Sequence, residues 1–290
     1  MKCCIKLFFY VGILLLCTIG LPQVGWAQNP QKLGKVKSAL ITEISGIAPY
    51  GNKEGYFWVH NDSGDGPFVY LIDSTANLKV KVEVEGVKFT DVEDIARFQI
   101  DNKKYLVLAD IGNNLRNREI LSLFVIEEPQ AVIAKDLNTM KVPLLKEIKI
   151  RYRDKRRDAE GIFVDPSDLQ LYIISKRDFE STVFSLPLDL NGPTAHTLRP
   201  LVTLPFTFTT SADISGDGKY IVAKNLTTIY MWERQIGRSV IETMSQTPQI
   251  IPYVIEPQGE AICFDLNNRF LYTISERPFG LDSYLYKYEF

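Results

Sequence analysis

Histidine is nearly missing from this chain: His60 and His196 are the only two in 290 residues. A zinc-type centre is thereby disfavoured, since such sites lean on imidazole. A Ser-His-Asp arrangement would have to join His60 to Ser63 and Asp62, and residues this close on one strand end rarely reach triad geometry. Cysteine is scarce as well. Cys3, Cys4 and Cys17 fall in a leader-like segment, which leaves only Cys263 beyond it and no intramolecular disulfide. Strong charge of either sign is also lacking. The formal net charge is -2, or -4 without Lys2 and Lys6, so neither nucleic acid nor an anionic membrane is expected as a partner.

The single long apolar run, Leu7 to about Gly20, follows Lys2 and Lys6 and precedes Gly25, Trp26 and Ala27. These are the three regions of a secretory signal peptide, spanning 1–27 with cleavage near Gln28. Cys17 follows three leucines and is a poor lipoprotein site. A secreted protein, periplasmic or extracellular and without a stable membrane anchor after cleavage, is expected.

What remains, 28–290, reads as one all-β domain. A polar or acidic stretch runs into an isoleucine-centred strand five times: TEISGIA, DVEDIA, DAEGIF, TSADIS and QGEAIC. The central isoleucines Ile47, Ile95, Ile162, Ile214 and Ile262 lie 48, 67, 52 and 48 residues apart, the period of a four-stranded propeller blade. Each is followed by a second strand rich in aromatic and β-branched residues, such as YFWVHND or LYIISKR, and then by third and fourth strands. SVIETM, from Ser239, is read as the fourth strand of the fourth repeat. The fifth repeat lacks a fourth strand, and 35–41 (KVKSALI) is expected to supply it and close the ring. A β-propeller of five blades follows, with six the alternative. The 67-residue interval is assigned to a longer outer hairpin around 130–141. SGDGKY is read as a tight Asp-Gly hairpin turn; NDSGDG, from Asn61, is harder to dismiss as a turn alone.

In a propeller the start of each innermost strand and the end of the second share one rim. Two residues before the central isoleucines stand Ser45, Glu93, Glu160, Ala212 and Glu260; four before stand Glu43, Asp91, Asp158, Thr210 and Gln258. A two-residue period puts these side chains on one face. The second strands bring His60, Asp62, Asp110, Lys176, Arg177 and Arg277 to the same rim, and Arg157 precedes the third anchor. Crowded carboxylates raise one another's pKa and call for a cation, a basic partner or a shared proton. An all-oxygen donor set favours calcium or magnesium. The competing expectation is that these acids pair with arginines and lock neighbouring blades. The basic residues would draw a small anionic ligand.

The motifs ISGIA, FWVHNDSGD, DVEDIA, LADIGNN, DAEGI, GEAI and TISER together resemble secreted bacterial propellers of the SdiA-regulated family and, more loosely, phytase-like propellers described as esterase-like. A monomer is expected, and the resemblance implies a periplasmic or extracellular propeller, often with calcium, sometimes with ester or phosphoester hydrolysis and often without established activity. It carries across Glu93, Glu160 and Glu260 at the glutamate position and Asp62 and Asp110 at the second-strand position. Ser45, Ala212 and Lys176 depart from it and favour an asymmetric site. In a hydrolase, Ca2+ would sit on these five acids, His60 or Asp62 would be the base, and Arg157, Lys176, Arg177 and Arg277 would orient the substrate. The alternative is a non-catalytic propeller that binds a protein, a glycan, another cell-envelope component or a small anion.

Overall fold

The computed structural model describes residues 30–290, so the expected signal peptide lies outside the described residues. Five antiparallel-cored sheets form a five-bladed propeller. The innermost strands are Ile44–Pro49, Val92–Ile100, Ala159–Val164, Ser211–Ile214 and Gly259–Phe264, and each lies against its neighbours around the channel.

The repeated isoleucine has a packing reason. Five apolar clusters fill the five seams between blades, and each central isoleucine enters the seam facing the preceding blade. Ile95 of blade two packs with Trp58, Leu71 and Val82 of blade one, and Ile262 of blade five with Val222 and Met231 of blade four. Because each seam buries apolar faces from two sheets, one blade alone would leave its faces wet, and the period in sequence becomes the ring in space.

Closure comes from the N-terminal side, but the strand is Gln31–Lys35, paired antiparallel with Tyr284–Glu289. The expected segment 35–41 overlaps it only at Lys35. Val36 and Ile41 are fully buried between blades five and one, so the chain turns inward there instead of continuing along the edge. The long second interval is not a hairpin on its own blade. Asn138–Pro143 reaches back and pairs in parallel with Leu78–Glu85, the outer strand of blade one. Ala195–Leu198 does the same for blade two.

SVIETM is a helix, not a strand. Ser239 caps Val240–Met244 in a capping box: its side chain accepts from the Glu242 backbone and Glu242 reaches back to the Ser239 backbone. Gln249–Ile251 is the fourth strand of that blade. SGDGKY is the expected turn, with Gly218 at φ +70°. Cys263 and Trp58 are buried core residues.

The two-residue period fails where it was invoked. Pairing between the first and second strands skips Ser45, Glu93, Glu160 and Glu260, each standing unpaired in a bulge, while Ser211–Ile214 pairs without a break. A bulge re-aims a side chain and interrupts alternation. Consequently Glu93 and its neighbour Asp94 are both buried.

Candidate functional site

The rim where inner strands begin gathers the acids. Asp62, Asp91 and Glu93 offer one carboxylate oxygen each within 4.8 Å of one another, and Glu93, Asp158 and Glu160 form a second such group sharing Glu93. Bulges deliver Glu93 and Glu160; Asp91 precedes the inner strand of blade two, and Asp62 follows the second strand of blade one. Gly112 makes the approach possible, since a Cβ there would overlap Glu93 Oε1 and the Asp91 carboxyl.

The two groups differ in charge balance. Glu160 and Glu260 both face Lys176 Nζ, with Glu260 Oε1 at 3.2 Å. Arg177 Nε lies 2.8 Å from Asp158 Oδ2. Asp62, Asp91 and Glu93 join no ion pair among the described residues, and among them the one side-chain hydrogen bond to the Glu93 carboxylate is from Ser45 Oγ, 3.5 Å from Oε2. Burial, and then the Glu160 charge, push the Glu93 carboxyl well above its ordinary value. Burial and the adjacent Asp91 raise Asp62 to about 7. Glu276, buried and bonded to Glu260, rises to about 9. Burial opposes the charge of Lys176, but Glu160 and Glu260 outweigh it and hold the ammonium above the usual lysine range.

The other expected site residues have structural partners. Asp110 accepts from the backbone N–H of Thr90 at 2.8 Å and of Asp91 at 3.2 Å, and from Arg118 Nη2 at 2.5 Å. Arg157 is bound to Asp178 and Asp154 and stacks 5.0 Å above Phe184, away from the acidic group. Arg277 fastens the segment before the first inner strand, its backbone N–H donating to Thr42 O at 2.8 Å and its Nη1 to Ser38 O at 3.2 Å. His60 is 0% exposed and lies behind Gly46, where a Cβ would overlap its Nε2. Burial lowers it to about 4, so it is a neutral imidazole. Asp65 of NDSGDG accepts from Asn61 Nδ2 and Tyr70 OH, each at 2.8 Å, and shapes the loop that carries Asp62.

Lys224 closes the second strand of blade four at the rim as expected, whereas Glu256 and Asp94 escaped the sequence reading of the site. Behind the ring, Lys224 bonds to Gly259 O and is lowered to about 8 by burial, while burial raises Glu256 to about 7 despite bonds from Thr273 at 2.7 Å and Tyr253 at 3.0 Å. On the channel side Asp94 accepts from Ile162 N at 2.9 Å, Ser211 Oγ at 3.3 Å and Ala212 N at 3.4 Å. One carboxyl of blade two thus ties blades three and four together and closes the channel beneath the acids. The DVEDIA motif contained it, but alternation placed it on the wrong face.

No protein-family model and no curated protein sequence matches the chain. Among solved structures it is similar to the PQQ-bound aldose sugar dehydrogenase of Streptomyces coelicolor, at TM-score 0.52 and 10% identity over 90% of this chain and 98% of that one. Hydrazine synthase of Kuenenia stuttgartiensis aligns at TM-score 0.45 and 9% identity over 83% and 70%, too slight to bear on the fold. At such identity the first likeness speaks for a propeller fold and for nothing about chemistry.

Proposed function

We propose that the acidic rim is a divalent-cation centre of an exported propeller, with calcium the ion best suited, and that it serves hydrolysis of a small anionic ester or phosphoester. The observation that carries this reading is the group Asp62, Asp91 and Glu93: three converging carboxylates, Glu93 2% exposed, with no ion pair among them. Buried like charges this close must take up protons or a cation. Oxygen donors alone suit a hard ion. Asp158 and Glu160 are neutralised by Arg177 and Lys176, so the centre is asymmetric and lies toward blades one and two.

The residues then divide into roles. Asp62, Asp91 and Glu93 would hold the ion, which when bound would polarise the substrate's ester oxygen. Arg177, 40% exposed in its side chain, is the cation best able to meet an anionic substrate. His60, walled in and 0% exposed, is out of reach of a substrate and takes no part. The resemblance to SdiA-regulated and phytase-like propellers supports the same reading. The second reading, a binding propeller without turnover, is favoured by Lys176, which sits between Glu160 and Glu260 as an internal counter-ion.

Calorimetric titration of calcium into wild type, Glu93→Gln and Asp91→Asn, followed by p-nitrophenyl phosphate and acetate turnover with and without chelator, tests the proposal. Binding lost in both variants, with chelator-sensitive turnover, is expected. Binding without turnover leaves the binding propeller; no binding overturns the cation centre.

A further inference from the structure

The opposite end of the channel holds a cavity of about 360 Å3, lined among others by Arg97, Gln99, Asp213 and Asp265 with Pro49 and Pro166 as apolar walls. Its volume lies within the range of small-molecule sites. Asp94 separates it from the acidic rim, standing between Glu93 and Arg97 on one strand and bonded across the channel. Ligands at the two ends therefore meet different residues.

Charges of both signs line this cavity with hydrogen-bonding capacity left unused. The Arg97 guanidinium makes no hydrogen bond among the described residues, and its buried Nε has no partner. Glu128 Oε2 stands 4.0 Å away in a long ion pair and likewise has no hydrogen bond, while Glu128 Oε1 accepts from Gly51 N at 2.9 Å and Trp58 Nε1 at 3.1 Å. Asp265 is 5% exposed; its Oδ1 accepts from Arg269 N and Phe270 N, but its buried Oδ2 has no partner. Asp213 is held in place by Phe264 N and Ile214 N, each at 2.8 Å. A plain anion would answer only Arg97, and a plain cation only the aspartates. A molecule carrying both charges answers both, its carboxylate taking the planar fork of the guanidinium and its ammonium the unpartnered oxygen.

We infer that the cavity bounded by Arg97, Asp213 and Asp265 binds a small zwitterion of the α-amino-acid class. The site is independent of the cation centre, and its test separates the two. Glycine, L-serine and L-leucine are titrated calorimetrically into the full chain, with sodium acetate and ethylammonium chloride as the two half-ligands. At least one amino acid binds, with each half-ligand at least tenfold weaker. Arg97→Gln and Asp265→Asn each weaken binding tenfold or more, and Arg97→Lys, which keeps the charge and loses the fork, weakens it by less than Arg97→Gln. Glu93→Gln and chelator leave it unchanged. Should Arg97→Gln fail to fold, Asp265→Asn and the half-ligands decide. Equal binding of either half-ligand, or no binding by any amino acid, overturns the inference.

Discussion

Lys176 of blade three lies 3.2 Å from Glu260 of blade five, so one ammonium spans the rim and neutralises a carboxylate two blades away, together with Glu160 on its own blade. Lys176→Met removes that charge and leaves both glutamates buried without a counter-ion. Breaking a buried pair in this way costs about 3–5 kcal/mol. The effect belongs below the ordinary lysine value of 10.5, because the folded-state pKa of Lys176 is raised and its contribution disappears only at higher pH. Urea unfolding at pH 8 is expected to show the loss, and added calcium to recover part of it. An unchanged midpoint would mean that Lys176 does not hold the ring together.

Stability without metal should fall as pH rises from about 4 toward 9. Asp62, Asp213 and Glu256 titrate near 7 in the folded protein and Glu276 near 9, all above their unfolded values, so the folded state binds more protons across that window. His60 acts in the opposite sense between 6.5 and about 4, and Lys224 between 10.5 and about 8, because their folded values are lowered, but these two oppose four carboxyls. Thermal unfolding in chelator is expected to give a higher Tm at pH 5 than at pH 8, and calcium to narrow the gap. A higher Tm at pH 8 in chelator would contradict the buried, proton-holding carboxyls.

Gly112→Ala places a methyl against Glu93 Oε1 and Asp91 while leaving every strand pairing intact. The expected result is calcium affinity reduced tenfold or more with circular dichroism unchanged. Wild-type affinity in this variant would mean that the ion, if bound, is not held by Asp91 and Glu93.

Asp94→Ala strips acceptors from the N–H groups of Ile162 and Ala212 inside the channel. Each orphaned buried donor costs about 1–3 kcal/mol, so the variant is expected to lower the denaturation midpoint clearly. Burial drives the Asp94 carboxyl well above its ordinary value. Bonds from the Ile162, Ile95 and Ala212 N–H groups work against that rise, and Asp94→Asn, which keeps the shape and one acceptor oxygen, should cost less than Asp94→Ala. Equal losses would show that the carboxylate itself, not the shape and single acceptor that asparagine keeps, is what matters there.

The repeat was legible because each blade must bury the same face against its predecessor, which forces isoleucine to recur at one strand position. The carboxylates at the rim were legible for the same reason, as fixed offsets from that isoleucine. Their allegiance was not. Whether Glu160 meets a metal or Lys176, and whether Asp110 meets a metal or Arg118, depends on side chains brought together across blades. Local motifs carry no record of that pairing. Bulges at Glu93, Glu160 and Glu260 also lack a residue signature of their own, so strict alternation concealed Asp94. The helix at Val240 had a signal in the Ser239 to Glu242 spacing, overridden by the expectation of a fourth strand.

The closing strand fixes an order of events during synthesis. Gln31 finds its partner in Lys287 and Lys35 in Tyr284, so this strand, the first among the described residues, waits unpaired until Tyr284–Glu289 has been made. Blades one to four can assemble as they emerge, but the ring stays an open arc until the C-terminal strand arrives. Any ligand that needs residues from both sides of that seam can bind only after this last pairing has formed.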